Sequence, residues 1–247
     1  MSAGRTLDSI LLEEAYFADQ AYAPWANQLD INPRMFEKYA HPVHDWDWRQ
    51  MGARLLGPVA GADLLDFGCG MGEESAYFAR LGARVTAMDI SPKGIEIARN
   101  RAFHNGLEIR AFVAQALNNG LPSESFDIVH GCGILHHIGL SEGLAETRRL
   151  LRPGGRAIFT EHMGNSPLIE KLKVMLKRSD YTDNEQPVRW QDCLREAALF
   201  SESRLIPYHI LSRLSKSPGL KKLDHRMLQA VPALRHFAGG VLFWLRK

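Results

Sequence analysis

Hydrophobic positions in this chain change their spacing near residue 63. Before it, Leu11, Leu12, Ala15 and Tyr16 recur at helical intervals and predict a helix over 8–21. An irregular aromatic stretch over 24–48 follows, with Trp25, Phe36, Tyr39, Trp46 and Trp48. A helix over 49–56 leads into the first strand. From there short apolar runs alternate with helical patterns. The predicted strands are 63–67, 84–89, 108–113, 126–130 and 156–161. Helices are predicted over 73–81, stopping at Gly82, and from Pro92 to about Gly106. Ser91 is the cap of the second and Pro92 its first residue. A further helix spans 141–151, closed by an Arg152-Pro153-Gly154-Gly155 turn.

Strands and helices alternating in this way predict an α/β fold with a parallel sheet and right-handed crossovers. After 161 the rhythm breaks. Helices are predicted over 167–176 and 189–198, and 202–211 with 240–245 form a closing antiparallel pair. There is no repeat and no low-complexity linker. The chain therefore reads as one domain over 1–247, with an N-terminal helical cap (1–56), a core (57–161) and a tail of helices and closing strands (162–247).

Composition narrows the picture. A length of 247 residues suffices for one large core. Net charge is +2 and points to no polyanionic partner. Charge is unevenly spread, however: 166–247 holds 15 Lys/Arg against 8 Asp/Glu, whereas 1–50 holds 4 against 8. A basic tail suits an anionic acceptor or a membrane surface, or is simply a solvated face. Basic residues are not interleaved with aromatics as in a nucleic-acid platform, so nucleic acid is not the expected partner. Cys69, Cys132 and Cys193 lack metal-ligand spacing and suit a reducing cytoplasm; no metal is expected. The start of the chain has no leader-like apolar run, and no stretch has the ~20 apolar residues of a membrane span. The sequence is compatible with a homo-oligomer.

Candidate chemistry concentrates in Leu64-Leu65-Asp66-Phe67-Gly68-Cys69-Gly70-Met71-Gly72. Glycines at alternate positions let a strand turn sharply into a helix and let a ligand approach the backbone. Asp89 closes the next strand, where a carboxylate can accept from both ribose hydroxyls. A nicotinamide dehydrogenase shares this logic. Its loop is G-x-G-x-x-G, and its diphosphate rests on the helix N-terminus. Here the spacing is G-x-G-x-G, and Glu73 and Glu74 follow. Two carboxylates in the first turn repel a diphosphate but accommodate a cationic sulfonium.

With the glycine loop, Asp89-Ile90-Ser91, Ser125-Phe126-Asp127-Ile128-Val129, Leu135-His136-His137 and Leu151-Arg152-Pro153-Gly154-Gly155 in order, the chain resembles the class I S-adenosylmethionine-dependent methyltransferases over 63–161. The resemblance implies a Rossmann-like, seven-stranded sheet, mostly parallel, with the last strand antiparallel. It implies that Gly68, Cys69, Gly70 and Gly72 line the methionine and ribose of the cofactor, with Asp66 ordering the loop. Asp89 would hold the ribose and Ile90 would pack on the adenine. Gln115-Ala116 stands where the family often has an acid followed by Ala, so the adenine amino group would meet an uncharged acceptor. The implied activity is methyl transfer to an O, N or C nucleophile of a small metabolite, such as a bacterial natural product, with S-adenosylhomocysteine as product. A nucleic-acid or protein methyltransferase, or a non-catalytic cofactor-binding partner protein, are the alternatives.

Methyl transfer demands positioning first and a base only where the acceptor must lose a proton. His136 and His162, at the ends of two central strands, are the candidate bases. His137 and His130 read as structural, and His41 and His44, in a cap segment that could carry them over the site, as structural or exposed residues. Tyr16 and Tyr39 are candidates for folding over the site, Tyr39 against the cofactor, where an aromatic face favours the sulfonium.

Overall fold

The computed structural model describes residues 7–33, 35, 46–164, 188–213 and 217–247. Tyr39, His41, His44 and the predicted helix over 167–176 lie outside the described residues. In chain order the elements are α1 (Leu7–Tyr22), α2 (Trp48–Leu56), β1 (Asp63–Phe67), α3 (Glu73–Arg80), β2 (Arg84–Asp89) and α4 (Pro92–His104). There follow β3 (Arg110–Val113), β4 (Phe126–Cys132), the single turn α5 (Leu135–Ile138), α6 (Leu140–Leu150) and β5 (Leu151–His162). The tail comprises α7 (Trp190–Ala197), β6 (Glu202–Tyr208), α8 (Pro218–Ala230) and β7 (Gly240–Arg246).

Among the described residues the strands form one seven-stranded sheet, ordered β3-β2-β1-β4-β5-β7-β6. The first five are parallel, and β7 runs antiparallel to both neighbours. Strand order reverses between β1 and β4, which is where an open α/β sheet leaves a crevice at the carboxyl ends of its strands.

Side-chain alternation along the strands builds the layers. Leu64, Val85, Ile128, Ile158 and Leu242 point to one face, with Leu56 of α2 and Tyr77 and Phe78 of α3. Leu65, Met88, Val129, Phe159 and Phe243 point to the other, with Leu144 of α6, Cys193 of α7 and Leu228 of α8. Burial on both faces explains why these strands read as continuous apolar runs.

Three details differ from the sequence pattern. Arg152–Gly155 does not separate α6 from the strand. Leu151 already pairs with Phe126, and the next paired residue is Arg156 opposite Ile128, so the four residues bulge out of the ladder. Gly154 takes a positive φ of 76° in that bulge and donates its N–H to the Lys247 carbonyl. The third strand begins at Arg110 rather than 108, because Gly106 ends the α4 turn with φ 65°. Helix α8 was not expected at all. Its inward face is only Asp224 and Leu228, too narrow a stripe to give a helical period.

Candidate functional site

The glycine loop is tied across the sheet before it turns. Gly68 and Cys69 both donate their N–H to the Met88 carbonyl at 2.9 Å, which fastens the loop after β1 to the end of β2. Gly70 then donates to an Asp89 carboxylate oxygen at 2.8 Å, and Ser91 donates to the other at 2.9 Å. Two N–H bonds hold the carboxylate in one orientation and leave lone pairs for further donors. Burial pushes the Asp89 carboxyl above its ordinary pKa, against the pull of these N–H groups.

Two glycines in the loop are required by close contacts. At Gly72 (φ 70°) a β-carbon would fall 2.6 Å from the Ala98 β-carbon of α4 and 2.9 Å from its backbone. At Gly70 (φ 51°) it would meet the Tyr22 hydroxyl at 3.2 Å. Asp66 lies beneath the loop and buried. One of its oxygens accepts from the Ser75 hydroxyl at 2.5 Å, and the other is 2.9 Å from His130 Nδ1. The loop therefore has a polar anchor on its inner side.

The crevice is a cavity of about 630 Å³. Its floor is Gly68, Met88, Asp89 and Ile90, with Ala114 and Ala116 after β3 and Cys132, Gly133 and Ile134 after β4. Its roof is α1, through Leu11, Glu13, Glu14, Phe17, Ala18, Ala21 and Tyr22. Helix α1 is held down by Asp19, which accepts from the Ser91 hydroxyl and, at 2.9 Å, from the Lys93 N–H. Ser91 itself caps α4 by accepting from the Gly94 N–H at 2.8 Å. One residue of the roof thus closes onto the helix start that frames Asp89. Burial, followed by the nearby Asp89, Cys69 and Asp19, pushes the Tyr22 phenol far up, so it stays a protonated donor. Burial likewise pushes the Cys69 thiol well up and keeps it unreactive.

At the β4 end, Glu161 organises the wall. One carboxylate oxygen accepts from the N–H groups of Ile134 (2.9 Å) and Leu135 (2.8 Å), and the other is 2.7 Å from His136 Nδ1. Glu161 is fully buried and His136 nearly so. The His136 ring stands 4.1 Å from that of His137, which lines the cavity, and 6.3 Å from that of exposed His162.

Of the cofactor candidates, Gly68, Asp89, Ile90 and Ala116 line the cavity, and Cys69, Gly70 and Gly72 form the turn behind it. Gln115 bridges to Asn118 in the loop after β3. Tyr16 is 60% exposed and stands outside the lining, whereas Phe17, itself 53% exposed, lines the cavity. Sequence reasoning missed Glu14, Ala18 and Tyr22, whose spacing of four marks the inner stripe of α1, and it missed Glu161 as the partner of His136. Among the described lining residues there are three carboxylates and no Lys or Arg. Such a wall suits a ligand with cationic centres, and the volume suits a nucleoside with an amino-acid arm.

Comparison with known proteins agrees with this geometry. A methyltransferase-domain family model matches residues 65–159. A demethylmenaquinone methyltransferase of Tropheryma whipplei is 37% identical over 125 residues, covering 48% of this chain and 49% of the relative. The chain thus spans about half the length of that relative. A ubiquinone biosynthesis O-methyltransferase of Xanthomonas euvesicatoria is 34% identical over 167 residues, covering 61% of this chain and 69% of the relative. In fold, an S-adenosylmethionine-dependent methyltransferase from Mesorhizobium loti superposes with a TM-score of 0.56 at 19% identity, covering 84% of this chain and 100% of that one. A geranyl diphosphate methyltransferase solved with geranyl diphosphate and sinefungin gives 0.56 at 18%, covering 78% and 74%. With a sheet reversed at β1/β4, an acid at the end of β2 and kinship across two thirds of a named methyltransferase, this chain belongs to the class I S-adenosylmethionine-dependent methyltransferases.

Proposed function

We propose that this protein transfers a methyl group from S-adenosylmethionine to an oxygen or carbon of a hydroxylated, quinol-type ring. The observation that carries this reading is the cavity itself, with Asp89 fixed on one side and an apolar wall of Phe17, Ile134 and Ile138 on another. The names of the quinone-pathway relatives support the acceptor class. An anionic acceptor has less support, because the described wall offers carboxylates and no Lys or Arg. Cys69, Cys132 and Cys193 form no disulfide among the described residues, in keeping with a reducing, cytoplasmic setting.

The bound cofactor supplies an activated methyl on a sulfonium leaving group. The chain's own residues position and shield it. Asp89 would accept from the ribose hydroxyls while Gly70 and Ser91 hold its carboxylate still. Gly68, Cys69, Gly70 and Gly72 let the backbone approach the methionine arm, and Asp66 anchors them from below. Ile90 and Ala116 would hold the adenine, with Gln115 as an acceptor for its amino group. Tyr22 and Phe17, on the inner side of α1, would cover the site and exclude water. Where the acceptor loses a proton, the histidine group would take it: His136, aligned by Glu161, or exposed His162, with His137 of the same group lining the cavity.

Incubation with methyl-labelled S-adenosylmethionine and three acceptors tests the reading: a hydroxylated quinol, a primary amine and transfer RNA. Label is expected on the ring compound. Label on RNA or amine alone, or on none of the three, contradicts it.

A further inference from the structure

The basic excess of the tail finds no place in the described wall of the cavity. Part of it stands on the excursion that joins β6 to β7. Both strands meet this excursion at the edge of the sheet where the site opens. Tyr208, the last residue of β6, pairs with Gly240, and Gly240 also pairs with His162 at the end of β5. The Met163 N–H donates to the Gly239 carbonyl at 3.1 Å, so the end of the excursion abuts the exit of β5. Helix α8 and the helical turn Pro232–Phe237 therefore stand on the side of the sheet where β5 ends.

The two faces of this excursion differ in chemistry. The inner one is pinned. Asp224 accepts from the N–H groups of Ile210, Leu211 and Ser212 and from the Ser212 hydroxyl, and Leu228 is buried in the core. The outer one carries Lys222, Leu223 and Arg226 on α8, then Val231, His236 and Phe237. Leu223, Val231 and Phe237 are each 44–47% exposed. Asp224 is the only acid between 217 and 239, and it is turned inward, so the described residues of 217–239 present no carboxylate on the outer face. Lys222 and Arg226 are four residues apart, a like-charge spacing that costs a helix stability and gains it nothing. Large apolar side chains between cations, without acids, match the interface of an anionic bilayer: hydrocarbon for the rings and branches, phosphate for the cations.

We propose that the outer face of α8 and the Pro232–Phe237 turn docks on anionic lipid membranes. The occupant is a phospholipid surface. The inference concerns this face and not the reaction, so it stands or falls apart from the acceptor reading.

The test is co-sedimentation of the full chain with phosphatidylcholine vesicles, with and without phosphatidylglycerol, at low and high salt. Binding is expected only with phosphatidylglycerol and is released by salt. Lys222→Gln and Arg226→Gln should each weaken it about fivefold, the equivalent of about 1 kcal/mol per cation near an anionic surface. Leu223→Ser with Phe237→Ser should weaken it further at low salt. All four positions are exposed, and far-ultraviolet circular dichroism checks that the variants fold. No binding by the wild-type chain overturns the proposal, as does equal binding to both vesicle types. Variants that bind like wild type place the contact elsewhere and also overturn it. Capture by soluble polyglutamate without capture by vesicles assigns the face to an acidic protein instead.

Discussion

Replacing Asp89 tests the cofactor site at its best-defined point. The side chain is 8% exposed, lines the cavity and accepts from two backbone N–H groups. A hydrogen bond to a charged group contributes about 1.5–3 kcal/mol. Asp89→Ala should therefore weaken S-adenosylmethionine binding by roughly 10- to 150-fold. The same change strips Gly70 and Ser91 of an acceptor. An unsatisfied buried donor costs about 1–3 kcal/mol, so a melting-point drop of several degrees is expected as well. Asp89→Asn separates the two effects, since its carbonyl keeps one N–H bond while the charge is lost. Calorimetry gives the affinity, and thermal denaturation the stability. The pH dependence follows from burial, which raises the carboxyl pKa. Affinity should hold above that raised value and fall as pH drops through it, at a higher pH than an exposed aspartate would give. In Asp89→Asn this acid limb should vanish. The stability linkage has the opposite sign: a raised folded pKa favours the fold at low pH, and that contribution is lost as pH rises through it. Wild-type affinity in well-folded Asp89→Ala would refute the ribose assignment.

Other outcomes follow from the same contacts. Gly72→Ala meets both a positive φ and the α4 backbone, and should lower the melting point and cofactor affinity together, whereas Gly57→Ala, at φ 67° with open space around it, should change stability only. Asp19→Ala removes the tie between α1 and the start of α4, so hydrogen exchange over 7–22 should rise and cofactor affinity fall by up to about tenfold; unchanged exchange would remove Asp19 as the clamp. Glu161→Gln offers an amide N–H₂ to His136 while keeping an acceptor for Ile134 and Leu135. Turnover should fall by roughly 100-fold or more with cofactor affinity little changed, and equal turnover would return this group to structure. At the opposite edge of the sheet, Arg84 and then Arg152 hold the Asp63 carboxyl below its usual value, and Arg152 holds Asp127 down against burial. Lowered carboxyl values stabilise the fold above the unfolded pKa and lose that contribution as pH falls through the folded one. Arg152→Ala should thus lower stability modestly at neutral pH, these carboxylates being partly exposed and screened, and leave stability below both carboxyl pKa values unchanged, so that stability falls less steeply with acid.

The core of the fold was legible because its strands and helices obey two different periods over 63–162. β1 and β2 match their predicted limits to the residue, since Asp63–Phe67 and Arg84–Asp89 are short apolar runs closed by polar or glycine positions. The Arg152–Gly155 bulge was misread because a Pro-Gly-Gly run looks the same whether it ends a ladder or loops out of one. In the site, Asp89 and the glycines were readable from spacing. The roof was not. Phe17 and Tyr16 are adjacent aromatics on one helix, and only the placement of α1 over the sheet decides that Phe17 rather than Tyr16 lines the cavity. Glu161 was invisible as a partner of His136 because 25 residues separate them, and the β4–β5 pairing alone brings them together.

The central claim is that the crevice between β1 and β4 is a cofactor site for S-adenosylmethionine. Calorimetric titration of the full chain with S-adenosylhomocysteine tests it most directly, because the product binds without turnover. One saturable site that S-adenosylmethionine competes for is the predicted result. No heat and no competition, in protein that melts cooperatively, would contradict it.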